Sequence, residues 1–132
     1  MALELAILAP AIVALLWMMI SAGRVVDASS KVEGAARDGA RAASINHAGQ
    51  AFDAAQTAVN NSLQANGVTC VGPPTVTIAA SSQGGGDHGG QPVPGDTVRV
   101  TVKCRVALLI GAADTTVTRT GISVLDEFRG TT

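Results

Sequence analysis

An uncharged, strongly apolar stretch, Leu5 to Gly23, stands near the start of the chain between Glu4 and Arg24. At about 1.5 Å of rise per residue, the stretch would measure roughly 28 Å as an α-helix. The hydrocarbon core of a bilayer is about 30 Å thick. The stretch is apolar all round, which separates it from a surface helix with one apolar face. We therefore expect residues 1–23 to form an N-terminal transmembrane helix that contains Pro10.

Composition excludes several classes of function. The chain has 132 residues and a net charge of -1, so it has no bulk electrostatic attraction for nucleic acid. Aromatic residues are limited to Trp17, Phe52 and Phe128, too few for base stacking or an aromatic-lined pocket. The two histidines, His47 and His88, belong to no metal-ligand spacing or nucleophile arrangement. We expect no enzyme, no cofactor and no metal.

Alanine-rich sequence with scattered charges follows the apolar stretch, over residues 24–66. Apolar residues recur there at helical spacing in two sets: Val25, Ala28, Val32, Ala35 and Ala36, then Ala48, Phe52, Ala55 and Val59. Gly34, Gly39 and Gly49 each weaken a helix, so they indicate bends or the close approach of another backbone. We expect an amphipathic helical extension of the membrane helix that ends near Gly67.

Residues 67–132 change to a strand-like pattern and predict a small β-rich exported domain. Val98, Val100, Val102, Cys104, Val106 and Leu108 alternate with Arg99, Thr101, Lys103 and Arg105. Such alternation predicts a half-buried antiparallel strand, and residues 73–80 and 115–125 provide further strands. Glycine- and serine-rich residues 81–96 predict a flexible loop. The fold class is therefore α+β, with a long N-terminal helix packed on a small antiparallel sheet.

Two cysteines, Cys70 and Cys104, both lie in strand-like sequence. A disulfide is the usual state of such a pair in a small exported domain, whereas a cytosolic protein would keep two buried free thiols. The positions of the basic residues favour free thiols. All of these residues, beginning with Arg24, follow the apolar stretch and would place the domain in the cytoplasm. A basic leader upstream of residue 1, removed during maturation, would reconcile export with the charge distribution.

Two segments carry a resemblance to a known family: "ALELAILAPAIVALLWMMISAGR" and "VEGAARDGARAAS", within residues 2–44. They resemble the TadE-like pseudopilins of tight-adherence (Flp-type) pili, which are relatives of type IV pilins. The family motif falls on Ala35, Ala36, Arg37, Gly39, Ala40 and Arg41. The resemblance implies a pilin-like fold and a non-enzymatic minor pilin or pseudopilin that acts in filament assembly or structure by helix–helix packing.

The resemblance also implies partners, a location and a set of assembly residues. The partners are the lipid bilayer, other pilin or pseudopilin subunits, the pilus assembly platform and a prepilin peptidase. The location is the cytoplasmic membrane, crossed once with the C-terminal domain exported, or a pilus at the bacterial cell surface. The subunit-assembly residues are Glu4, Leu5, Leu8, Pro10, Ile12, Leu15 and Leu16.

Glu4 has two interpretations. In pilins the corresponding glutamate pairs with the N-terminal amine of a neighbouring subunit, which would offset the cost of a carboxylate in lipid. Alternatively, Glu4 is a charge at the membrane interface near the positive end of the helix dipole. In the family the peptidase leaves this glutamate at the fifth mature position, whereas Glu4 is fourth here, which leaves the exact processing site open.

A second reading of the whole chain stays open beside the pilin reading. A membrane protein with one span could carry an exported domain that binds a ligand or partner, with no filament at all. A basic leader directly upstream of this chain would favour the pseudopilin, whereas a direct start at Met1 would favour the plain anchor.

Overall fold

The computed structural model describes residues 2–46, 49–81, 95–107 and 114–125, and the side chains of residues 2–5 are left out of the description. Within these ranges the elements are helices α1 (Ala2–Ile45) and α2 (Ala51–Ala65), then strands β1 (Thr75–Ser81), β2 (Thr97–Ala107) and β3 (Asp114–Val124). This order of a long apolar helix followed by a small antiparallel sheet confirms the predicted α+β class. Most of the predicted loop, residues 82–94, lies outside the description.

Helix α1 is continuous from Ala2 to Ile45 and contains Pro10, so the apolar stretch and the first part of the extension form one element. The helical extension predicted over residues 24–66 occurs as two helices. Residues 46–50 separate them, and the Asn46 side chain closes the last turn of α1 by donating to the Ala42 carbonyl at 2.8 Å. Gly49, one of the predicted bend positions, lies in this break.

Helix α2 ends where the sequence predicts a stop. Gly67 has a φ of 65°, the left-handed conformation that glycine adopts readily. The Gly67 amide donates to the Gln64 carbonyl at 3.0 Å, and the Val68 amide donates to the Leu63 carbonyl at 2.9 Å. This pair of bonds is a Schellman cap, which satisfies carbonyls at the end of the helix.

The sheet has the order β1-β2-β3, with β2 in the centre and both neighbours antiparallel to it. Val100 of β2 pairs with Ile78 on one side and with Gly121 on the other. The predicted alternation along β2 is confirmed, because Val98, Val100, Val102 and Cys104 are buried while Arg99, Lys103 and Arg105 are exposed. Leu108, placed on the same strand by the sequence, lies outside the described residues.

The core lies between the inner face of the sheet and the two helices. It consists of small residues, and the largest fully buried side chains are Val32, Val59, Val100, Val102 and Cys104. Helix α2 contributes Ala55, Val59 and Leu63, spaced four residues apart. Phe52, expected on this face, is 48% exposed, because it lies about 100° around the helix from the partly buried Ala51.

A disulfide joins Cys70 to Cys104, with their Cα atoms 5.4 Å apart. Cys104 belongs to β2 as expected, but Cys70 precedes β1 in the segment that follows α2 and is not in a strand. The Val71 amide donates to the Arg105 carbonyl at 2.7 Å, which holds this segment against the edge of β2. The covalent bond and the hydrogen bond together connect the end of the helical layer to the central strand.

Candidate assembly site on the N-terminal helix

The two halves of α1 have opposite environments. The side chains of residues 6–20 are all exposed, and Met19 reaches 73%. The second half is packed, since Ala28, Val32, Ala35, Ala36, Ala40 and Ala43 are buried. Residues 6–20 therefore project as an apolar rod from the folded head, which consists of the packed half of α1, helix α2 and the three strands. The rod contacts nothing within the described part of the chain.

Among the described helices, α1 is the one that is long and apolar enough to cross a membrane. Among the predicted assembly residues, Leu8, Ile12, Leu15 and Leu16 are between 54% and 60% exposed, and Pro10 is exposed as well. Glu4 and Leu5 lie on the same helix, but their side chains are outside the description. The assignment of these residues to subunit assembly stays a prediction.

The family motif lies where α1 packs against α2 and the sheet, and its residues lie on two different faces of the helix, one buried and one exposed. Ala35, Ala36 and Ala40 are completely buried, and Gly39 is buried beside them. An ideal Cβ at Gly39 would lie 2.6 Å from the Val59 Cγ2 atom and 3.4 Å from the Ala55 carbonyl oxygen. Close approach of α2, one of the two roles considered for this glycine, is therefore what the structure shows.

The two arginines of the motif point away from the core. Arg37 and Arg41 are exposed, and Arg37 forms an ion pair with Glu33 one helical turn earlier. An exposed pair of this kind contributes roughly 0.3–0.5 kcal/mol, so it supports the helix only slightly. Within the described residues, the motif is a packing surface on one side and a solvated, charged surface on the other.

Polar contacts fix α1 to the rest of the head at three levels. The Arg119 guanidinium donates to the Ser29 hydroxyl. Two further pairs lie nearer the end of the helix: the Ser62 hydroxyl donates to Asp38 Oδ2 at 2.8 Å, and the Ser123 hydroxyl donates to the Ser44 hydroxyl at 3.1 Å. The packed half of α1 is thereby held to both α2 and β3.

Sequence reasoning missed two residues of this junction, Gly121 and Arg119. Gly121 of β3 is buried directly beneath the backbone of α1 at Ala36. A lone glycine within a strand is a signal for close backbone approach, and this one could have been found in the segment 115–125. Arg119 offers no such signal, because its partner Ser29 lies 90 residues away in sequence.

The described residues contain no group of three or more His, Cys, Asp or Glu side chains that could hold a metal ion. His47 and His88 lie outside the description. Where the structure describes side chains, no buried side-chain nitrogen or oxygen lacks a hydrogen-bond partner.

An apolar helix projecting from a small, disulfide-bonded α+β head defines a class, that of small proteins with a candidate membrane span near the N-terminus. Residues 1–41 match the sequence model of a family described as TadE-like protein, which confirms the resemblance identified from the sequence. The match covers less than a third of the chain and suggests an involvement in the tight-adherence pilus. No curated relative and no solved structure matches the chain.

Proposed function

We propose that the protein is a non-enzymatic minor pilin or pseudopilin subunit of a tight-adherence pilus, acting in filament assembly or structure through helix–helix packing. The observation that carries this proposal is the exposed apolar half of α1. It lies within the stretch that matches the TadE-like family and projects beyond the head. The subunit resides in the cytoplasmic membrane with its head exported, and it enters the filament from there.

The physical reason is the difference between lipid and water around the same apolar surface. Inside a bilayer, lipid tails cover Leu8, Ile12 and Leu16 as well as another helix would, so the free subunit is stable there. Outside the bilayer, each such side chain costs roughly 1.5–3 kcal/mol if it stays exposed. Extraction by an assembly platform is therefore coupled to packing against the helices of other subunits.

Export of the head is supported by the disulfide. The bond between Cys70 and Cys104 belongs to an oxidising compartment, since cytosolic thiols are kept reduced. A leader removed by a prepilin peptidase would supply the cytoplasmic positive charge that this orientation needs. The bilayer, other subunits, the platform and the peptidase are thus the partners of the proposal.

Glu4 sets the register between neighbouring subunits in this proposal. Its carboxylate pairs with the N-terminal amine of a neighbour, which removes the cost of an isolated charge in an apolar bundle. The apolar residues from Leu5 to Ile20 carry the packing between helices, and the motif around Gly39 keeps the head at a fixed position on the helix. The alternative, a charge that only favours the helix dipole, predicts no effect on subunit contacts.

The test is co-assembly in a host that supplies the tight-adherence assembly genes. A tagged and an untagged copy are expressed together, and the untagged copy is measured in pull-downs from solubilised membranes and from sheared surface filaments. Glu4→Gln is expected to reduce recovery of the untagged copy several-fold. Glu33→Gln is the matched control, because it removes a half-exposed carboxylate whose ion-pair partner among the described residues is Arg37 on the same helix.

Two outcomes oppose the proposal in different ways. Unchanged recovery with Glu4→Gln removes the pairing role of Glu4 and leaves packing by the apolar residues. In the other outcome, the wild-type chain reaches the membrane without any untagged copy in the pull-down and without any filament. That outcome supports the alternative function, an anchored domain that binds a ligand or partner without a filament.

A further inference from the structure

Two contacts fix the direction of β3 relative to α1. Arg119 reaches Ser29, and Ser123 reaches Ser44, so the partner on α1 advances along the helix as β3 proceeds. Strand β3 therefore runs away from the apolar half of α1. Since β2 is antiparallel to β3, the end of β2 and the beginning of β3 lie at the end of the head nearest the apolar rod.

The position of that end along α1 follows from Gly121, which lies against Ala36. The strand from Gly121 back to Asp114 is about 23 Å long, equal to about fifteen residues of helix rise. A strand parallel to α1 would place Asp114 about level with Ser21, and a strand inclined to the helix would place it nearer Val25. Both levels coincide with the end of the apolar stretch, so this end of the sheet would meet the surface of a bilayer that encloses the stretch.

Charge is distributed unevenly between the two ends of the head. Among the described side chains, the membrane end carries the cations Arg24, Lys31, Lys103, Arg105 and Arg119 and the carboxylates Asp27 and Asp114. The part farther from the membrane carries Arg37, Arg41 and Arg99 together with Glu33, Asp38, Asp53 and Asp96. The end of the head that meets the membrane is therefore cationic, and the opposite part is slightly anionic.

We propose that this cationic end of the head docks on anionic phospholipid headgroups while the subunit is stored in the membrane. The proposal rests on the proposed membrane anchorage and adds a second contact with the bilayer. Lys103 is exposed, and the Arg105 side chain is 60% exposed although its guanidinium also pairs with Asp114 Oδ2 at 2.7 Å, so both cations lie within reach of headgroups. The negative surface potential of a leaflet attracts such side chains within a Debye length, about 8 Å at physiological ionic strength.

Two cations that lie farther from the membrane, Arg41 and Arg99, are not expected to contact headgroups. Arg41 lies on α1 about 25 Å farther along the helix than Arg24, beyond the range of the surface potential. Arg99, paired with Ile122, lies on the side of Gly121 away from the membrane. Docking therefore depends on the cations of the membrane end, of which Lys103 and Arg105 are the two on β2. The head must leave the headgroups when the subunit is extracted into a filament.

The experiment uses the full chain in nanodiscs of phosphatidylcholine alone or mixed with phosphatidylglycerol. A gadolinium-labelled headgroup broadens backbone amide signals near the membrane surface. In anionic discs the amides of Arg105 and Thr116 are expected to broaden several-fold more than those of Thr97 and Val124 at the opposite end. The difference should shrink in phosphatidylcholine discs and at high salt.

Matched variants separate position from total charge. Lys103→Gln with Arg105→Gln is expected to abolish most of the extra broadening in anionic discs. Arg41→Gln with Arg99→Gln removes the same charge at the far end and should leave the broadening unchanged. Equal broadening at both ends, or no response to anionic lipid or salt in the wild-type chain, overturns the proposal and leaves the cationic end to face a protein partner.

The lone tryptophan distinguishes this failure from failure of the anchor itself. Trp17 lies in the apolar half of α1, and brominated lipid tails quench its fluorescence only if that half enters the bilayer. Quenched Trp17 without headgroup contact rejects the docking proposal alone. Unquenched Trp17 rejects both the membrane anchor and the docking that depends on it.

Discussion

Gly121 of β3 lies so close to Ala36 of α1 that an ideal Cβ on the glycine would stand 2.3 Å from the Ala36 carbonyl oxygen. The Arg37 amide nitrogen would be 2.6 Å away. Both atoms belong to the backbone of a packed helix and cannot move aside as the end of a flexible side chain can. The helix therefore rests directly on the strand at this point, and a side chain would separate them.

Gly121→Ala is expected to lower the free energy of unfolding by about 1–3 kcal/mol, because the added methyl group overpacks the junction. In a domain of this size that cost should lower Tm by roughly 4–8 °C for each kcal/mol, measured by calorimetry of the full chain in nanodiscs. Gly34→Ala is the control, since an ideal Cβ there meets nothing within 4 Å. Its better helix propensity should raise stability by up to about 1 kcal/mol.

Gly39→Ala should also destabilise the head, for a different reason. Its Cβ would lie 2.6 Å from a methyl group of Val59, which is a side-chain atom and can be removed. Val59→Ala is expected to make Gly39→Ala less costly, with a coupling of at least about 0.5 kcal/mol in a double-mutant cycle. Strictly additive effects in urea unfolding would show that Gly39 does not control the spacing of α1 and α2.

Features that depend on local pattern were predictable from the sequence. The alternation from Val98 to Cys104 follows from a strand with one face buried, and the missing charges of residues 5–23 follow from an apolar environment. Gly67 ends α2 because only a left-handed residue completes that cap without strain. Each of these signals lies within a few residues of sequence.

Features that depend on distant partners were not predictable. Gly121 alone indicates that some backbone comes close, but nothing in the sequence identifies Ala36 as its partner, and nothing identifies Ser29 as the partner of Arg119. The break after Ile45 has only Gly49 to indicate it, and glycine is tolerated inside α1 at Gly34. The exposed half of α1 was predictable as apolar, but a single chain does not encode which surface covers it.

Leu63 and Phe52 offer a direct test of which face of α2 is buried. Leu63 is 3% exposed and Phe52 is 48% exposed. Leu63→Ala should cost about 2–5 kcal/mol, since it removes a core side chain and leaves a cavity. Phe52→Ala should cost well under half of that, although phenylalanine is the larger residue. A larger loss for Phe52→Ala in the same urea titration would show that Phe52, and not Leu63, lies on the buried face of α2.

The disulfide between Cys70 and Cys104 closes a loop with a sequence separation of 34. The chain-entropy estimate for a loop of that length is about 3–4 kcal/mol of stabilisation, a large share for a head with a core of alanine and valine. Reductant is therefore expected to lower the urea midpoint of the exported wild-type chain strongly. The doubly substituted chain, Cys70→Ala with Cys104→Ala, should start from the lower midpoint and show no response to reductant. Detection of two free thiols in exported protein, by mass after alkylation without reduction, would contradict both the pairing and the compartment it implies.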